Sequence, residues 1–91
     1  MGNSEILAKA DFRLTGTGWN GPVDEIVHAE LSKSKAFDYG NRTCMALIWE
    51  NGNIDSYDTR YERVSPRNFT EYAKELLENR VLKTITVEVV E

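Results

Sequence analysis

The chain has few of the residues on which common catalytic and metal sites depend. Its 91 residues include one cysteine and one histidine. A single cysteine, Cys44, excludes an intramolecular disulfide and fits a reducing compartment, so we expect a cytoplasmic protein. The histidine, His28, has no second His or Cys at metal-ligand spacing and no orienting partner nearby in the sequence. We therefore expect His28 to be solvated and the chain to hold no metal.

Long apolar segments and clusters of positive charge are also missing. No run approaches the length of a transmembrane helix, and the N-terminus has neither the basic nor the apolar region of a signal peptide. The 15 Asp and Glu outnumber the 11 Lys and Arg, which gives a net charge of −4. Because phosphate binding needs clustered Lys and Arg, we expect neither nucleic acid nor a membrane among the partners.

Motifs of catalysis are lacking as well. The segment TGTGWNG does not have the glycine spacing of a phosphate-binding loop, and no Ser or Cys stands in a recognisable relation to a His. Cys44 lies in an apolar run and is interpreted as an inert small hydrophobic residue. Asp55 and Asp58 alternate to opposite faces of a predicted strand, so they cannot act as an acid–base pair. We expect a protein that is not an enzyme and has no cofactor.

What the sequence does contain is the pattern of one α+β domain over residues 1–91. Apolar alternation predicts strands over 6–14 and 23–31, and a β-branched run predicts a last strand over 82–90. A hairpin is predicted over 43–61. The predicted order is β-β-β-β-α-β: a bent antiparallel sheet of about five strands with one helix packed on one face.

The dipeptide Asn51-Gly52 is the strongest turn signal, because both residues adopt positive φ readily in a two-residue type I′ turn. Such a turn places Trp49 opposite Ile54 and Ala46 opposite Tyr57. One face of the hairpin then carries four large apolar residues, Met45, Leu47, Trp49 and Ile54. The other face carries smaller residues and two tyrosines: Cys44, Ala46, Ile48, Tyr57 and Tyr61. We expect the helix on this second face.

The helix is predicted over 64–81, where five apolar residues form a single stripe: Phe69, Tyr72, Ala73, Leu76 and Leu77. Ser65 is a good N-cap and Pro66 a good first helical residue. Asn68, with Glu71 behind it, offers a competing start three residues later.

The main loop is predicted over 15–22, TGTGWNGP, because three glycines and a proline in eight residues disfavour regular structure. Trp19 lies in its middle. It either folds back as a lid on the core, which we favour, or projects as a binding anchor, since Trp is enriched at interface hot spots. A polar connection is predicted over 32–42.

The segment IWENGNIDSYDTRY, residues 48–61, resembles the hairpin of Tudor- and SH3-type domains, in which a Trp-acidic-Asn/Gly tip joins two strands. The resemblance covers one hairpin. The helix before the last strand departs from the simple five-stranded barrel of those domains, so no functional residue is carried over.

Surface aromatic, apolar and arginine side chains are the candidates for partner binding: Trp19, Met45, Leu47, Trp49, Ile54, Tyr57, Arg60 and Tyr61. The apolar hairpin face without the helix must be covered by barrel closure, by a second copy or by a partner. Small acidic domains are often adaptors, or inhibitors carried by phages and mobile elements. We expect a protein–protein interaction or inhibitor module, whose partner is another protein or a second copy. The alternative is a small-ligand-binding protein that uses the Trp19 loop and the hairpin aromatics.

Overall fold

One antiparallel sheet and one helix make up the part of the chain that the structure describes. The computed structural model describes residues 5–35, 41–59 and 62–90. The elements are β1 (Glu5–Gly18), β2 (Gly21–Lys35), β3 (Asn41–Trp49), β4 (Ile54–Asp58), α1 (Phe69–Arg80) and β5 (Ile85–Val90). The predicted α+β class and the order β-β-β-β-α-β are confirmed.

The five strands lie in the order β4-β3-β2-β1-β5. The first four strands form a meander, and the connection through α1 returns from β4 at one edge to β5 at the other. In the described residues β4 and β5 do not pair with each other, so the sheet is open. Barrel closure, one of the expected coverings, is therefore wrong.

The first hairpin is much longer than the sequence predicts. β1 and β2 stay paired from Glu5 opposite Lys33 to Gly18 opposite Gly21, apart from a bulge near Leu7, and only two residues form the turn. The loop predicted over 15–22 is wrong. Gly16 explains part of the error: it has φ +140°, and a Cβ there would lie 2.1 Å from the carbonyl oxygen of Thr84. This glycine allows β5 to approach β1; it does not mark a loop.

The second hairpin is shifted by one residue from its predicted register. The Trp49 N–H donates to the Asn53 carbonyl at 2.9 Å, and the Gly52 N–H donates to the Trp49 carbonyl at 2.9 Å. The loop is therefore the three residues Glu50-Asn51-Gly52, and it ends in a glycine at φ +92°. The predicted two-residue turn is wrong, and Ile48, not Trp49, lies opposite Ile54.

This one-residue shift exchanges the faces of β4 relative to β3. Tyr57 lies opposite Met45, on the face that the helix covers. The core consists of inner-face residues of the sheet and one side of the helix: Phe12, Leu14, Val27, Ala29, Leu31, Met45, Leu47, Phe69, Ala73, Leu77 and Val87. The prediction that the helix covers the Cys44 and Ala46 face is wrong. Both faces of β3 are apolar in sequence, and pairing with β2 decides which one is buried, because Val27, Ala29 and Leu31 lie on that face.

The helix begins at the later of its two predicted starts. Asn68 is the residue before the first turn, and its side chain organises the preceding segment. Its Nδ2 donates to the Arg63 carbonyl at 2.6 Å, and its Oδ1 accepts from the Ser65 N–H at 2.8 Å. Ser65 therefore lies in a turn ahead of the helix. The apolar stripe is confirmed, with Phe69, Ala73 and Leu77 buried.

Two further boundaries differ from prediction. β2 continues to Lys35 and β3 begins at Asn41, so the connection between them is shorter than 32–42. β5 begins at Ile85 because residues 82–84 form a turn, closed by the Ile85 N–H donating to the Leu82 carbonyl at 2.9 Å. Among the described residues, no helix has the length and apolar character needed to cross a membrane.

Candidate functional site

An open groove lies where the tip of the β1–β2 hairpin meets the C-terminal end of α1. Its volume is about 360 Å³. Trp19 and Glu25 line it from the hairpin, and Arg80 and Leu82 line it from the end of the helix and the segment that follows. We call this feature the tip groove. It is a concave surface with apolar walls and two charged groups.

Trp19 stands at the outer end of the tip groove. It occupies the first position of the two-residue turn, and its residue surface is 88% exposed. The lid interpretation is therefore wrong: the side chain projects into solvent. Gly18 and Gly21 flank the turn and form the last backbone pair of the hairpin. Because strand pairing reaches the turn itself, Trp19 is carried on regular structure and not on a flexible loop.

Glu25 lies on the apolar, inner face of the sheet. It pairs across the strands with Leu14, which is buried, so both side chains lie on the same side as the helix. Glu25 is half-buried. Among the described residues its carboxylate has no hydrogen bond or ion pair. The adjacent Asp24 lies on the outer face and binds Arg13, with both guanidinium contacts at 2.8–2.9 Å.

Arg80 holds the end of the helix against the second hairpin. Its Nη1 lies 2.6 Å from Oδ2 of Asp55 and also donates to the Tyr57 hydroxyl. The Trp49 indole N–H donates to the same Asp55 oxygen at 2.9 Å, and the Arg80 guanidinium lies 5.7 Å from the centre of the Trp49 ring. The hydrogen bond from Arg80, helped by that from Trp49, lowers the pKa of Asp55. We call these four residues the Arg80 cluster.

The structure separates the sequence-predicted binding residues into several places. Trp19 lines the tip groove, and Trp49 and Tyr57 belong to the adjoining Arg80 cluster. Ile54 is 61% exposed and lies on the opposite face of the sheet.

Two predicted residues are not on the surface, and two cannot be placed. Met45 and Leu47 are fully buried beneath the helix, so they belong to the core. Their predicted place on the uncovered face followed from assigning the helix to the side of Cys44 and Ala46. Arg60 and Tyr61 lie outside the described residues.

Sequence reasoning missed Glu25 and Arg80. Glu25 had a readable signal, since it is a carboxylate in the apolar alternation of Val23 and Val27. Arg80 had a weaker one. A basic residue in the last turn is common in helices and does not indicate which partner it meets.

His28 forms a separate cluster on the outer face of the sheet. Its Nδ1 lies 2.6 Å from Oδ1 of Asp11 on β1, and its Nε2 lies 2.8 Å from Oε2 of Glu30. The hydrogen bond with Asp11 raises the pKa of His28, with Glu30 adding to it and partial burial opposing it. The expectation of a solvated His28 without an orienting partner is wrong, because Asp11 reaches it from the neighbouring strand β1 and Glu30 binds it from two residues along β2.

This cluster offers no obvious chemistry. Both imidazole nitrogens are hydrogen-bonded to carboxylates, which favours the charged ring that donates from both nitrogens, so neither nitrogen offers a lone pair to a metal ion or acts as a free base. Within residues 5–35, 41–59 and 62–90, no group of three or more His, Cys, Asp or Glu could hold a metal.

Comparison of the chain with models of known protein families, with curated proteins and with solved structures gave no match.

Proposed function

We propose that the protein is a small interaction or inhibitor module that binds a protein partner through Trp19 and the tip groove, and that it is not an enzyme. One observation carries the proposal: the Trp19 residue is 88% exposed at the end of a long hairpin. Trp is among the residues most enriched at interface hot spots, and it contributes a large contact area when a partner covers it.

The hairpin supports this role by holding Trp19 in place before binding. Pairing between β1 and β2 continues to the Gly18–Gly21 pair, directly beside the turn. Ordering a flexible loop on association costs free energy, whereas an anchor on paired strands has already been ordered by folding. The backbone at Trp19 is therefore suited to binding a partner without rearrangement.

The composition limits the class of partner. The net charge of −4 disfavours nucleic acid, which needs clustered positive charge. Cys44 is free, which is consistent with the cytoplasmic location we propose. The partner is another protein or, alternatively, a second copy of this chain.

The groove itself favours a second candidate function, the binding of a small ligand. Its volume of about 360 Å³ is at the lower end of the range of ligand pockets. However, such pockets enclose most of the ligand surface, and Trp19, at 88% exposed, encloses little. A thermal-shift measurement with a metabolite panel tests this candidate, and a reproducible stabilisation by one compound would favour it.

The test of the main proposal is affinity capture from the lysate of the host with the wild type, Trp19→Ala and Ile54→Ala. Ile54 is a matched control, because it is also an exposed apolar residue but lies on the other face of the sheet. We expect a partner that the wild type and Ile54→Ala retain and that Trp19→Ala loses.

The same experiment can contradict the proposal. Equal retention by Trp19→Ala, or loss through Ile54→Ala alone, would show that binding uses another surface. Light scattering coupled to size exclusion identifies the case of a second copy: the wild type would then be a dimer and Trp19→Ala a monomer.

A further inference from the structure

We propose that the tip groove binds an arginine side chain of the partner protein, with the guanidinium between the Trp19 ring and the Glu25 carboxylate. This inference rests on the proposed function, because it names the chemistry that the partner presents to Trp19. It follows from the charge, the walls and the openness of the groove.

The charge of the groove calls for a cation. Glu25 is half-buried and has no hydrogen bond or ion pair among the described residues. A carboxylate that loses part of its hydration without gaining a partner is destabilising, so an incoming cation gains most at this position. The other charged lining residue, Arg80, is neutralised by Asp55 at 2.6 Å. Glu25 therefore sets the net charge of the groove.

The walls fit the rest of an arginine side chain. Val23, Leu82 and Ile85 provide apolar surface for an aliphatic stem, and Trp19 provides an aromatic face. A guanidinium is planar, stacks on aromatic rings and binds a carboxylate through two parallel hydrogen bonds. An ammonium is a compact, strongly hydrated charge, so lysine matches this combination less well.

The openness of the groove indicates that the arginine belongs to a protein and not to a free small cation. Trp19 is 88% exposed, and a small ligand in the groove would leave most of the ring in water. A protein surface around the inserted side chain would cover the rim and exclude water from the ion pair, as in hot spots surrounded by near-neutral contacts. The negative net charge of the chain also favours the approach of a basic surface.

The test is an NMR titration of the full chain with blocked pentapeptides Gly-Gly-X-Gly-Gly, in which X is arginine, lysine or citrulline. Citrulline has nearly the shape of arginine without its charge. At millimolar concentration we expect the arginine peptide to shift the Trp19 indole N–H and the amide signals of Val23, Glu25 and Leu82. We expect the citrulline peptide to bind at least about tenfold more weakly, a difference of about 1.4 kcal/mol, and the lysine peptide to lie between them.

Two pairs of variants locate the binding. Glu25→Gln should weaken the arginine peptide by at least about tenfold, whereas Glu75→Gln, which removes the same charge from the exposed side of the helix, should leave binding unchanged. If Glu25→Gln does not fold, Trp19→Leu and Trp19→Phe replace it, since the exposed turn tolerates both. Leucine should abolish the shifts, and phenylalanine should retain part of them.

The inference is overturned if citrulline binds as well as arginine, if Glu25→Gln binds as the wild type does, or if the arginine peptide shifts no signal of the groove. These failures are separable from failure of the proposed function. If Trp19→Ala still loses the captured partner while the arginine peptide does not bind, only the arginine inference is wrong. If Trp19→Ala retains the partner, the proposed function is wrong.

Discussion

The two hairpins of the sheet differ in how well their turn residues indicate their structure. Asn51-Gly52 is a strong turn signal, and it lies in a hairpin whose strands have 9 and 5 residues. TGTGWNGP resembles a loop, yet it closes a hairpin whose strands have 14 and 15 residues. β1 pairs with β2 on one side and with β5 on the other, whereas β4 is an edge strand. Pairing of β1 with β5 over Asp11–Gly16 supports the first part of the glycine-containing segment as a strand, and turn chemistry does not reveal this contact.

The largest effect is expected where the long hairpin meets β5. Gly16→Ala and Gly21→Ala both place a side chain at positive φ, so both are strained by about 1–3 kcal/mol. Only at Gly16 would the new Cβ lie 2.1 Å from a backbone oxygen, that of Thr84. We expect Gly16→Ala to lose about 4 kcal/mol or more of the free energy of unfolding, measured in urea. Equal losses in the two variants would show that β5 does not approach β1 at Gly16.

An engineered disulfide tests the register of the short hairpin. Cys44 lies opposite Asp58 in a pair without mutual backbone hydrogen bonds, where Cα atoms are about 4.5 Å apart. Asp58→Cys should therefore form a disulfide with Cys44 on oxidation and stabilise the fold by up to about 3 kcal/mol.

The control for that disulfide is Thr59→Cys. A two-residue turn at Asn51-Gly52 would place position 59, not position 58, opposite Cys44. Thiol counting and mass spectrometry after oxidation distinguish the two, and efficient closure in Thr59→Cys alone would mean that the three-residue loop is wrong.

Substitution by valine should destabilise the short hairpin more at Gly52 than at Asn53. Gly52 has φ +92°, where valine is strained by about 1–3 kcal/mol. Asn53 accepts a hydrogen bond from the Trp49 N–H and directly precedes β4, a position suited to a β-branched residue such as valine. Thermal melting of Gly52→Val and Asn53→Val measures the difference. Similar melting temperatures would indicate that residue 52 does not need positive φ.

The smallest change in the free energy of unfolding is expected from pH, and it should arise from His28 on the long hairpin. Asp11 and Glu30 raise the pKa of His28 in the folded state, so the charged imidazole stabilises the fold fully below the unfolded pKa of about 6.5. This contribution is lost as pH rises through the higher folded pKa. We expect a loss of at most about 1 kcal/mol, because the groups are partly exposed. Urea denaturation at pH values from below to above these two pKa values should show a fall in the free energy of unfolding for the wild type and not for His28→Gln. A stability that rises with pH in the wild type alone would contradict the assignment.

The sequence predicts the kind and order of the helix and strands, but not the strand register or the faces that pack together. The stripe from Phe69 to Leu77 and the alternation around Phe12 and Val27 are local patterns, and they correctly predict one helix and two strands, though with other boundaries. The strand register and the choice of buried face are not local properties, because a shift of one residue in the pairing moves every side chain of a strand to the other face of the sheet. On β3, where Ala46 and Leu47 are both apolar, the local pattern could not decide which face is buried.

Less of the candidate site than of the fold could be predicted. The sequence identifies Trp19 as a candidate, but not that its side chain projects into solvent. That depends on the hairpin around it, whose glycines made it resemble a loop. Of the two partners of His28, Glu30 is two residues away and was within reach of sequence reasoning, whereas Asp11 is 17 residues away and meets His28 only through pairing of β1 with β2. The contact between Arg80 and Asp55 spans 25 residues. Such contacts arise from the topology of the fold, which a short stretch of sequence does not indicate.

The return of the chain from β4 to β5 has a consequence for the order of folding. β1 to β4 pair with their neighbours in sequence, so each hairpin needs only a short loop to close. β5 must find β1 across the whole sheet, and this contact carries the largest loop-closure entropy in the fold. We expect the meander to form first and α1 with β5 to dock afterwards. Until they dock, Phe12, Val27 and Leu47 face water, so a slow-docking variant would be lost to aggregation before it was lost to unfolding.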